Sequence, residues 1–112
     1  MSNERELLEL AAKACGYDIG HSWNALRLTF EPPVFSLCIP GVSTGWNPLR
    51  EDGHALRLAA KLKIDLEWQH DEDAVEAYVR SFEGSTYCPS YPASEYKRAI
   101  VDVAAEIGRQ MP

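Results

Sequence analysis

Apolar spacing places this 112-residue chain in the α+β class. The expected architecture is a four-stranded, mainly antiparallel sheet with three helices, in the order α-β-β-α-β-β-α. Three observations carry that expectation. Apolar residues recur at helical spacing near the start, in the middle and at the end of the chain. Between those stretches the spacing changes to every second residue. Each alternating pair is too small to be stable alone, so the two hairpins are expected to join in one sheet. Two separate cores would each be marginal at this length, so residues 1–112 are expected to form a single domain. A charged fraction of 25% beside 46% apolar residues is a globular balance rather than a disordered one.

The first helix is expected over Asn3 to Cys15. Ser2 or Asn3 can cap it, and acids in its first turn suit the helix dipole. Leu7, Leu8, Ala11, Ala14 and Cys15 share one side, and Gly16 stands where a left-handed C-terminal residue is wanted. From Ala25, Leu26, Leu28 and Phe30 alternate with Arg27, Thr29 and Glu31, which predicts a strand ended by Pro32-Pro33. Val34 to Ile39 predicts a second strand, with Phe35, Leu37 and Ile39 on one face. Pro40 to Pro48 reads as a loop.

A second helix is expected to begin near Glu51 or Asp52, with Asp52 accepting from first-turn N–H groups, and to stop by Lys63. Ile64, Leu66 and Trp68 then alternate with Asp65, Glu67 and Gln69. After a polar turn at His70 to Asp73, Val75, Ala77 and Val79 of a strand over Ala74 to Phe82 face one way. Glu83 to Pro92 reads as a second loop. The last helix is expected from about Ser94 to about Gln110, burying Ala99, Ile100, Val103, Ala104 and Ile107.

Seventeen acids against eleven Lys and Arg give a net charge of −6. Nucleic-acid binding draws its affinity from phosphate neutralisation, and neither half of the chain carries a positive footprint for it. The three cysteines, Cys15, Cys38 and Cys88, are odd in number and widely spaced, unlike a secreted disulfide framework. All three read by default as small buried hydrophobes. No apolar run is long enough for a membrane span, and the N-terminus has no apolar signal core. These features point to a soluble chain of a reducing compartment, with no nucleic-acid or membrane partner.

Three stretches carry a family resemblance. They are Leu7-Leu8-Glu9-Leu10-Ala11-Ala12-Lys13-Ala14, the central Trp46-Asn47-Pro48-Leu49 followed by Asp52-Gly53-His54-Ala55-Leu56-Arg57-Leu58-Ala59, and Arg98-Ala99-Ile100-Val101-Asp102-Val103-Ala104-Ala105-Glu106-Ile107-Gly108. Together they resemble the phage ABA sandwich domain family of small bacteriophage and prophage proteins, over nearly the whole chain. The central run is the distinctive one. The resemblance implies an α/β/α sandwich-like fold and a place in the cytoplasm of a bacterial host. It brings no established reaction, cofactor or catalytic residue, and an acid often stands in that family where this chain has His54.

Candidate chemistry is sparse. Gly41-Val42-Ser43-Thr44-Gly45 lacks the Gly-Lys-Ser/Thr ending of a phosphate loop. Cys88, between Tyr87 and Tyr91 in a proline-flanked loop, is the most reactive-looking thiol, yet His21, His54 and His70 are all distant in sequence. Metal-ligand pairs at close spacing are missing, so no metal or other cofactor is expected. Glu67, Asp71, Glu72 and Asp73 gather at a polar turn that cannot separate their pKa values.

Trp46 fits either an anchor packed on the following helix or a hot-spot aromatic. With Tyr87 and Tyr91 it forms the possible interaction surface. The leading expectation is a non-enzymatic accessory protein that binds another chain or forms a homodimer. The alternatives are an enzyme using Cys88 or a carboxylate, and an acidic decoy for nucleic-acid-binding proteins.

Overall fold

The computed structural model describes residues 3–42, 45–81, 84–87 and 90–111. Its class is α+β. The helices are α1 (Glu4–Ala14), α2 (Trp23–Leu26), α3 (Asp52–Leu62) and α4 (Tyr96–Gln110). The strands are β1 (Asp65–Gln69), β2 (Ala74–Ser81), β3 (Gly84–Tyr87) and β4 (Tyr91–Pro92).

α1 forms where the sequence places it. Asn3 caps it by accepting from the Glu6 N–H at 2.8 Å, and Gly16 follows with φ of 73°. α3 ends on Lys63 in the left-handed conformation. Asp52, expected to cap α3, is instead its first helical residue, and its carboxylate turns to α4, where it accepts from the Tyr96 hydroxyl and pairs with Lys97 Nζ at 3.2 Å.

α4 lies at the centre. Ala99, Ile100, Val101, Val103, Ala104, Ala105 and Gly108 are all buried, leaving only a narrow polar stripe. A helix apolar on most of its circumference must be covered from several sides. β2 covers one side with Val75 and Ala77, while α1 and α3 cover others. The approach of α1 is close enough that a Cβ on Gly108 would stand 2.1 Å from the Leu10 carbonyl oxygen.

β1 and β3 flank β2 on opposite edges, both antiparallel, with Asp65 and Tyr87 opposite Tyr78. β4 pairs with Ala74 and Val75 on the edge that β3 also occupies. The sheet is thus three-stranded, with its third strand in two pieces. α1 and α3 pack on α4, and α4 packs on β2.

Two expected strands are absent. Residues 25–31 take up the end of α2 and a 3-10 turn over Arg27–Thr29, and burial departs from the alternation at Leu26, Arg27 and Phe30 while Thr29 and Glu31 are exposed as it predicts. Arg27 is wholly buried, whereas Leu26 and Phe30 are exposed. Residues 34–39 are extended but make only the isolated bridge between Leu37 and Trp46. Their alternation still holds, with Leu37 and Ile39 in the core.

The stretch read as the Glu83–Pro92 loop supplies β3 and β4. Pro92 misleads, since a proline at a sheet edge loses no ladder bond. Trp68, expected to face the core, is half-exposed on the edge strand β1, tilted against the Tyr96 ring at 6.5 Å.

Candidate functional site: a cleft beside α3

Residues 17–51 form a lobe with few ladder hydrogen bonds, so polar side chains satisfy its backbone instead. Asn24 donates from Nδ2 to the carbonyls of Ile19 (3.0 Å) and Cys38 (2.9 Å), and its Oδ1 accepts from the Cys38 N–H at 2.7 Å. Arg27 donates to the carbonyls of Asn24, Val34 and Phe35 and pairs with Glu9 of α1 at 3.0 Å. Burial pulls its guanidinium below the usual pKa, and Glu9 pushes it back. Arginine remains charged throughout, so a fully buried guanidinium pairs here with a carboxylate that is partly exposed and also bonds Arg5.

A cleft of about 860 Å³ opens between this lobe and the start of α3. Trp23, Val34 and Val42 supply its apolar lining; His21, Ser36, Cys38, Glu51 and His54 supply the polar groups. Asn47 organises the inner end. Its N–H donates to His54 Nδ1 at 3.0 Å, and its Nδ2 donates to Ser36 Oγ at 3.2 Å. In the neutral imidazole the remaining proton of His54 therefore sits on Nε2. His21 is held likewise, its Nδ1 accepting from the Trp23 N–H at 3.0 Å.

The expected interaction residues are not brought together. Trp46 is 3% exposed, with its ring edge-on to Tyr17 at 5.7 Å, so it takes the anchor role and not the surface one. Tyr91 is half-buried in β4, and its hydroxyl donates to Asp102. The backbone of Tyr87 pairs with Tyr78, while its side chain lies outside the described residues. Cys88, Ser43 and Thr44 also lie outside them.

Cys15 is buried, and that burial pushes its thiol pKa up. Cys38, read as a buried hydrophobe, is only partly covered and lines the cleft with His21 and His54. The signal for it lay in the alternation: with Leu37 and Ile39 inward, Ser36 and Cys38 must face the other way. Nothing in the sequence could bring His21 and His54, thirty-three positions apart, to that face.

Among the described residues no three His, Cys, Asp or Glu side chains gather as a metal site, and no helix is long and apolar enough to cross a membrane. The acids are interleaved with bases: Arg5 with Glu9, Arg98 with Asp102, and Arg109 with both Glu6 and Glu106.

The fold and the cleft together define a small α+β protein with a polar-floored, apolar-walled groove. Comparison with protein-family models, with curated proteins and with solved structures gives no match.

Proposed function

We propose that this chain is a small, non-enzymatic phage or prophage accessory protein that acts in the bacterial cytoplasm by binding another protein chain. One observation carries the reading, the exposure of Leu26 and Phe30 on either side of the buried Arg27. Leu26 and Phe30 remain 53% and 39% exposed while Arg27 between them is fully buried. Trp23 stacks edge-on against Phe30 at 5.3 Å, and Leu26 stands exposed on the same short segment. Enclosing a charge while leaving apolar groups wet gains the isolated chain nothing, and apolar and aromatic clusters of this kind are what partners cover.

With a net charge of −6, the chain favours a partner whose contact surface is ringed by basic side chains. In this reading Trp23, Leu26 and Phe30 replace Trp46, Tyr87 and Tyr91 as the contact residues. No cofactor and no nucleic acid enter the role.

The test is the solution mass of the purified protein, alone and after mixing with host lysate, with mass spectrometry of any co-purifying chain. The expected result is a dimer or one near-stoichiometric partner, lost when Leu26→Ser and Phe30→Ser are combined. Both side chains are exposed, so the double variant keeps its circular dichroism. A monomer that retains nothing overturns the proposal, as does a complex indifferent to the double substitution.

A further inference from the structure

We infer that the cleft beside α3 binds a ligand carrying an amine next to a carbonyl on an apolar body, the chemistry shared by an amino-acid amide and the amino-terminal residue of a peptide. The inference does not rest on the protein contact at Leu26 and Phe30, although Trp23 borders both, stacking on Phe30 and lining the cleft.

Two unpaired donors face the inner end. His54 is more than nine-tenths buried, and its Nδ1 is occupied by the Asn47 N–H. Its Nε2–H has no hydrogen-bond partner among the described residues, although the side chain lines the cleft. Among the described residues every side-chain nitrogen and oxygen sealed from solvent has a partner, so the unpartnered Nε2 is open to solvent, on a side chain that lines the cleft. Ser36 Oγ accepts from Asn47 Nδ2, and its own proton meets no acceptor among the described residues. An oxygen acceptor between these donors satisfies both.

The outer end has the opposite character. Glu51 flanks α3 without a side-chain cap bond; its carboxylate makes no hydrogen bond or close ion pair among the described residues, and it lends negative field to Lys97 of α4. Glu51 and His54 both line the cleft. Trp23, Val34 and Val42 supply apolar lining.

These features select among ligands. An anion would meet the Glu51 carboxylate. A wholly apolar molecule would strand the His54 and Ser36 donors, and an unmade buried hydrogen bond is costly. A carbonyl for the donors, an ammonium for Glu51 and an apolar side chain for the walls satisfy all three demands. The volume of about 860 Å³ lies within the usual range for such sites.

The test uses the full chain and three probes: L-phenylalaninamide, its N-acetyl derivative, and the tripeptide amide Phe-Ala-Ala-NH2. Nitrogen-15 NMR follows the His54 Nε2–H, and peptide mapping by mass spectrometry follows alkylation of Cys38, which lines the same cleft. Phenylalaninamide is expected to shift the His54 signal and slow Cys38 alkylation. Glu51→Gln, an exposed substitution that leaves the fold intact, weakens binding about fivefold, the size of one exposed ion pair. Acetylation of the amine weakens it by about the same factor.

Tighter binding of the tripeptide assigns the site to a chain terminus, and preference for the amino-acid amide assigns it to a free small molecule. The inference is overturned if no probe shifts His54 and protects Cys38, or if the acetylated probe binds as tightly as the free amine.

Discussion

The body of the protein and its 17–51 lobe are held together by opposite means. In the body, α1, α3, α4 and β2 meet through Leu7, Leu8, Ala11, Leu58, Val75 and Val103, all nearly or wholly inaccessible. The lobe contributes Leu37, Ile39 and Trp46 to that core, but its path is set by Asn24, Arg27 and Asn47 bonding to backbone groups. Apolar packing is non-directional and tolerant, whereas a buried polar network works only when every member is satisfied. The lobe is therefore the region where one substitution reaches furthest, and it is also the region that carries the cleft.

Arg27→Ala gives the largest expected effect. It strands three backbone carbonyls and removes the buried partner of Glu9, which keeps Arg5, at a cost of about 3 kcal/mol in urea denaturation, since each unsatisfied buried group costs about 1–3 kcal/mol. Hydrogen exchange sharpens the comparison. Amides of residues 17–51 lose protection while those of α4 and β2 keep theirs. Arg27→Lys retains the charge but loses the fork of donors, so it gives the same pattern more weakly. Uniform loss of protection across α4 and β2 would break the distinction between the two regions.

Gly108→Ala probes the body. The added methyl has to displace the backbone of α1 near Leu10, since the contact is with a carbonyl and not a movable side chain. Overpacking of this kind costs about 1–3 kcal/mol, against which the better helix propensity of alanine returns about 1 kcal/mol. If body and lobe are separate units, the double variant with Arg27→Lys is additive to within about 0.5 kcal/mol. A larger coupling would show that the Arg27–Glu9 link makes α1 part of both.

The same division explains what could be read from the sequence. α1, α3, α4, β1 and β2 were legible because their apolar residues are buried against regular neighbours, and that is what periodicity reports. The strand expected over 25–31 failed because the segment coils as the end of α2 and a 3-10 turn, with Arg27 inside and Leu26 and Phe30 outside. Only the three-dimensional convergence of Glu9 and two distant carbonyls makes Arg27 the buried residue. Asn47 reads as a turn residue from Trp46-Asn47-Pro48. Its hold on His54 and Ser36, which builds the cleft, needs the chain folded first.

The smallest expected effect lies where α3 meets α4, and it titrates. The Tyr96 hydroxyl, and after it Lys97, holds the Asp52 carboxyl below its usual range. Because the folded pKa is depressed, the contribution is present above the unfolded value of about 3.9 and fades as pH falls through the folded one. Tyr96 and Lys97 are raised, chiefly by their hydrogen bonds to Asp52, so their contribution is complete below about pH 10 and fades above it. Denaturation midpoints of the wild type and of Asp52→Asn should therefore differ by a small constant amount from pH 5 to 9 and converge at both extremes. Asp52 is 70% exposed, so added salt should narrow even that plateau. A gap that survived at pH 2 would mean that Asp52 acts through its position at the start of α3 and not through its charge.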